Sequence, residues 1–239
     1  DRPRPGAAAA PHAAKSGPEG AMAEVRVHGF LFYQVPPGYR TSAQAARVRQ
    51  AVGRAGAVPG VAAVYTYDLV GLRSDTDLGV WVASSDLPAY QDAAQALLAT
   101  DLRCVGALWG YVRPSQYTGR SGTSVQVPGP RKRYLVVYPF TKTHAWYQLP
   151  GEDRRRMMLE HARVGHGFEG IEQLLLYSTG LSDWEFVVGY ETDDPERFLE
   201  LVTALRSTAA RPYTLRDLPT FTARYGTPEE VLSHVFPSP

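Results

Sequence analysis

The 239-residue chain is 44% apolar, with 25 Lys and Arg against 24 Asp and Glu. That composition excludes a fibrous or disordered protein, and the charge balance leaves no electrostatic footprint for nucleic acid or an acidic membrane surface. The single cysteine, Cys104, excludes an internal disulfide and a cysteine-based zinc site, and a lone thiol points to a reducing cytoplasm. No stretch reaches the ~18 apolar residues that a membrane span needs.

Residues 1–21 are rich in alanine, proline and glycine without the apolar run of a signal peptide, which predicts a disordered leader with Met22 as a possible start. VRVHGFLFYQV (25–35) alternates like a strand, and SAQAARVRQAVGRAG (42–56) has the content of an amphipathic helix. VAAVYTYDLVGL and DLGVWVAS predict two strands joined by a turn, followed by the helix LPAYQDAAQALLAT and a strand around VGALWGYVRP. A Pro/Gly/Ser-rich connector covers 114–133. The second half opens with YLVVYPF (134–140) and continues into a helix over 150–168, with proline at its start and acidic residues in its first turn. Strands IEQLLLYSTGL and WEFVVGYET follow, then the helix PERFLELVTALRS and a strand near TFTARY.

The order β-α-β-β-α-β therefore occurs twice. Gly71-Leu72 in the first half is mirrored by Gly180-Leu181 in the second, each at the junction of the two central strands. A repeat of this length, about 110 residues, is too long for a solenoid, so duplication of a ferredoxin-like unit is expected. The predicted class is α+β: an N-terminal half over 22–113, the connector, and a C-terminal half over 134–239. Their antiparallel sheets form a barrel-like core with helices outside.

Two places carry chemistry. The strand ending at Phe140 exits into Lys142, His144, Trp146 and Tyr147, an unusual polar and aromatic cluster for a core strand. Helix 150–168 puts Met157, Met158, His161, Val164 and Phe168 close to one face, with Glu152, Asp153, Arg154, Arg155 and Arg156 largely on the others. A histidine on an apolar stripe is more often a satisfied core residue than a ligand. One neutral imidazole among apolar side chains is also what an iron-porphyrin site requires, and no paired-histidine zinc pattern competes with it.

Five ordered blocks carry a resemblance: Tyr138-Pro139-Phe140-Thr141-Lys142; Trp146-Tyr147-x-Leu149-Pro150; Arg155-Arg156-Met157-x-x-Glu160-His161; Tyr177-x-x-Gly180-Leu181-x-Asp183-x-Glu185-Phe186; and Tyr213-Thr214-Leu215-Arg216-Asp217-x-Pro219-Thr220-Phe221. Over about residues 25–232 the chain resembles the chlorite dismutase family, and within it the coproheme decarboxylases of bacterial haem synthesis. The resemblance implies the duplicated barrel, usually a homopentamer, and a haem b or coproheme site. His161 matches the proximal iron ligand. Tyr138 and Lys142 match the tyrosine that relays a radical to a propionate and its lysine partner. Gln173 stands where chlorite dismutases carry a distal arginine, and Ala210 where they carry a glutamate bonded to the proximal histidine. Met157 and Trp146 are expected against the porphyrin, with Arg211 and Arg216 as carboxylate partners and Arg120, Arg131 and Arg133 as weaker candidates of the same kind.

The implied reaction is decarboxylation of coproheme by hydrogen peroxide to give haem b and carbon dioxide. The alternatives are a haem b-dependent oxidation within the same family and a non-enzymatic haem-binding protein.

Overall fold

The structure is a computed structural model and describes residues 24–117, 119 and 122–237. The expected leader over 1–21, Met22 and Arg120 lie outside the described residues.

In the N-terminal half, β1 (Val27–Gln34), α1 (Ser42–Gly56), β2 (Val61–Asp68), β3 (Leu78–Ser84), α2 (Leu87–Leu98) and β4 (Arg103–Tyr111) form a sheet in the order β4-β1-β3-β2. The C-terminal half repeats this with β5 (Tyr134–Lys142), α4 (Gly151–His166), β6 (Glu172–Tyr177), β7 (Phe186–Thr192), α5 (Pro195–Leu205) and β9 (Phe221–Gly226), in the order β9-β5-β7-β6. Three further pieces were not among the sequence expectations: a short helix α3 (His144–Gln148), a strand β8 (Thr214–Arg216) beside β5, and a last helix α6 (Pro228–Val235).

The duplication extends to local devices. Asp86 caps α2 by accepting from the Ala89 N–H, and Asp194 caps α5 by accepting from the Glu196 and Arg197 N–H groups, each cap followed by a proline in the first helical turn. Gly71 and Gly180 take φ of 78° and 76° at the matching strand junctions, a backbone region that costs other residues energy.

The two sheets join into a closed ring. β2 pairs with β9 along one seam, β4 meets β6 at Tyr111 and Tyr177 along the other, and β5 with β7 and β9 completes eight strands. Closure removes the exposed strand edges that would otherwise recruit other chains. Phe30, Phe32, Tyr67, Trp81, Leu174 and Phe221 fill the interior, with Phe32 and Phe221 stacked at 3.7 Å.

The connector also feeds this interior. Val125 is buried there, and the Arg131 side chain, 1% exposed, lies over the rings of Tyr65 and Trp81 and 3.2 Å from the equally buried Glu191 carboxylate. Arg131 is therefore a barrel residue and not a surface cation awaiting a ligand. Arg133 is exposed, and its backbone N–H donates to Asp193.

Outside the ring, the helices of the two halves pack differently. Eighteen buried residues form the layer under α1, α2 and α6, whereas Val188, Tyr190 and Leu201 alone form its C-terminal counterpart. Helix α4 contributes no buried residue at all, so one helix of the repeat stands over its sheet without being sewn to it.

Candidate functional site

The stripe predicted on α4 exists, but its members are half-buried: Met157, Met158, His161 and Val164 all keep partial exposure. Arg154 belongs to this face too, seven residues before His161 and hence on the same side of the helix. Its Nε is fully buried without a hydrogen-bond partner, which corrects the expectation that places it among the solvent-facing charges.

His161 is held between two elements. Its Nδ1 lies 3.4 Å from the hydroxyl of Thr208, which is 4% exposed in the turn after α5. Burial, and then the charge of Lys142, pull the imidazole pKa down to about 4, so the ring is neutral at physiological pH. Ala210, expected at the position of a histidine partner, is buried and offers no polar side chain; the side chain that meets His161 is that of Thr208.

Across from α4, the exit of β5 brings the polar cluster together. The Lys142 backbone N–H donates to Glu185 at 2.8 Å, and its ammonium sits 4.6 Å from the centre of the Trp146 ring. Burial and the neighbouring Arg211 lower the lysine to about 8, while Glu185 acts in the opposite sense. Trp146, 2% exposed, packs against Tyr213 and Tyr117 at 5.6 and 6.2 Å. Tyr147 is more exposed and donates its hydroxyl to the same Glu185, with Arg154 in electrostatic reach. Glu185 thus ties together β5, α3 and the β6–β7 junction, a function its place in a sequence motif does not reveal.

Tyr138 lies on the outer face of the sheet in the small cluster with Tyr190. The Tyr190 hydroxyl donates to the Tyr138 oxygen, and burial pushes the Tyr138 phenol up to about 12. Arg211 and Arg206 supply positive charge to it and Asp217 negative charge. Arg211 is paired with Asp217 at 2.5 Å. Gln173 shares the β6–β7 face, opposite Tyr190, where its side-chain amide donates to the Gly122 carbonyl at 3.0 Å and the connector brackets its backbone through Ser124.

Arg211 therefore acts on both Tyr138 and Lys142, Lys142 lies over the Trp146 ring and acts on His161, and Met157 stands half-buried on the helix that carries His161. Arg216 is not in this group: it is exposed on β8 and lines a small crevice with Thr141, Asp183 and Trp184. A surface pocket of about 260 Å³ lies away from these residues, against α2, lined by Leu31, Tyr33, Leu98 and Cys104 among others. Among the described residues no helix is long and apolar enough to cross a membrane, and no group of three or more His, Cys, Asp or Glu side chains is placed to hold a metal ion.

Known proteins resemble this chain over much of its length. The pattern of the family described as chlorite dismutase matches residues 41–226. A coproheme decarboxylase of Mycolicibacterium smegmatis is 30% identical over 161 residues, 65% of this chain and 70% of that protein. A coproheme decarboxylase of Staphylococcus carnosus is 32% identical over 114 residues, 45% of each chain, so this match spans under half of that relative. Among solved structures, a mutant chlorite dismutase of Candidatus Nitrospira defluvii has a TM-score of 0.76 and 26% identity, covering 89% of this chain and 96% of that one.

Proposed function

The chain belongs to the chlorite dismutase family, and from that premise we propose that it is a coproheme decarboxylase, which binds iron coproporphyrin III and uses hydrogen peroxide to convert it to haem b. The observation that carries this reading is the setting of His161: a neutral, desolvated imidazole on a helix that buries none of its residues fully, with the Lys142 charge near enough to act on the ring.

The residues fit the group. A porphyrin is flat and apolar with carboxylates at its rim, and this region offers half-buried thioethers at Met157 and Met158 and the partnerless buried Nε of Arg154. An orphaned guanidinium N–H costs stability unless an acceptor arrives, and a propionate is such an acceptor. His161 would hold the iron; Lys142, Arg154 and Arg211 would hold carboxylates.

Bound with peroxide, the iron porphyrin supplies one-electron oxidising equivalents. Each propionate that becomes a vinyl group releases carbon dioxide, one proton and two electrons, and one hydrogen peroxide takes up two electrons and two protons to give two waters. Tyr138 suits the relay: its oxygen already accepts from Tyr190, which leaves its own O–H free to donate to a carboxylate. Lys142, with a pKa of about 8, can both hold a propionate and exchange a proton near neutral pH. Gln173, tied to the connector, would wall the opposite side without acid–base chemistry of its own. We further place the enzyme in the cytoplasm as a homopentamer, on the lone Cys104 and the family resemblance.

Mass spectrometry of the porphyrin after iron coproporphyrin III and a slow feed of peroxide tests the reading. Loss of two carboxyl groups by the native protein, absent in Tyr138→Phe although the porphyrin still binds, is expected. An intact tetrapropionate bound at the iron would move the reading to a haem-dependent oxidation of another substrate.

A further inference from the structure

The turn after α5 does more than cover His161. The Thr208 hydroxyl donates to the Leu205 carbonyl at 2.8 Å, one of the acceptors left open where that helix ends, and its backbone N–H donates to the same oxygen. Its single proton is thereby committed, so toward the imidazole 3.4 Å away the Thr208 oxygen can only accept. A second contact fixes the same turn: the Glu160 carboxylate, one residue before the histidine, accepts from the Ala209 N–H at 3.3 Å. The acid of the Glu160–His161 pair is thus engaged with backbone, and the ring meets a neutral hydroxyl.

We propose that Thr208 is a positioning residue that selects the tautomer of His161, keeping the proton on Nδ1 and the lone pair on Nε2, so that α4 presents a ready but weakly donating imidazole ligand. The proposal deepens the iron-porphyrin reading and rests on it for the word ligand alone. Free imidazole in water favours neither nitrogen strongly, so a fixed tautomer needs a partner on one of them, and the partner's charge sets how much electron density the other nitrogen gives. A carboxylate there would pull the ring toward imidazolate; a hydroxyl whose own proton is engaged elsewhere does not. The clamp is local and rigid, because Thr208 is buried and its carbonyl is also bound, by the Arg211 N–H at 3.0 Å.

The full chain, labelled with nitrogen-15 in histidine and free of porphyrin, tests this at neutral pH. Nuclear magnetic resonance is expected to show His161 as a single Nδ1–H tautomer in the native protein and in Thr208→Ser, and a mixture in Thr208→Val. An unchanged single Nδ1–H tautomer in Thr208→Val overturns the proposal, whatever His161 binds. With iron coproporphyrin III added, Thr208→Val is expected to weaken binding about tenfold and to shift the iron–histidine stretching band in the ferrous state, with Thr208→Ser restoring both. Should His161→Ala keep that band, the assignment of the ligand fails while the tautomer result stands, so the two failures are told apart.

Discussion

The two halves are built to one plan and used differently. Each has a desolvated histidine: in the N-terminal half the His28 Nδ1 accepts from Trp81 Nε1 at 3.1 Å inside the barrel, and in the C-terminal half the half-buried His161 faces Thr208. Burial depresses both, to about 3 and about 4, yet His28 is enclosed on all sides and 3% exposed. Under α1 and α2 the core includes Val48, Ala51, Tyr90, Ala93 and Leu97; under α4 no comparable layer exists. The difference teaches that a desolvated side chain marks a site only where the packing around it is incomplete.

Core truncation separates the halves most. Leu97→Ala, at a position 1% exposed in α2, is expected to cost about 2–5 kcal/mol in denaturant unfolding, whereas Met158→Ala in α4 should cost about 1 kcal/mol or less. Equal losses would break the comparison.

Next in size is Lys142→Met, expected to slow decarboxylation about a hundredfold in a steady-state assay while leaving the unfolding midpoint close to the native value. The native kcat/KM should also fall as pH rises through about 8, where Lys142 of the substrate-free protein loses its proton, and Lys142→Arg should remove that inflection. A profile flat through pH 9 would remove Lys142 from any charge-dependent role.

The smallest effect is on acid stability. The folded His161 binds a proton less readily than the unfolded residue, so its contribution is present above pH 6.5 and is lost as pH falls through about 4. His28 acts with the same sign down to about 3. His161→Ala should therefore flatten the pH dependence of the thermal midpoint between pH 6.5 and 4 without abolishing it; no change would place the His161 ring in solvent.

Much of the fold is legible in the chain because its signals are local. The alternation of 25–35 and 134–140 gives β1 and β5, and the mirrored Gly71 and Gly180 give the duplication. The barrel is expected from the repeat and the resemblance, but its seams carry no local signal, since they join Thr66–Asp68 to Arg224–Gly226 and Tyr111 to Tyr177, pairs distant in sequence. Helix α6 had a local signal that the sequence expectations passed over, the Thr227–Glu230 capping box. At the site, Tyr138, Lys142, Trp146 and His161 stand out by type and spacing, and Arg154 was reachable from its seven-residue offset to His161. Arg131 misleads because a Pro/Gly-rich connector normally runs over the surface, yet this one inserts its guanidinium into the barrel. Thr208 has no signal at all: 47 residues separate it from the ring it meets.

Hydrogen exchange followed by mass spectrometry, with and without iron coproporphyrin III on the full chain, tests the central claim most directly. At ligand a hundredfold above its dissociation constant, α4 (Gly151–His166) is predicted to exchange up to about a hundredfold more slowly while α1 and α2 stay unchanged. Unchanged exchange in α4, or equal slowing in both halves, would contradict the assignment of the open C-terminal face as the binding site.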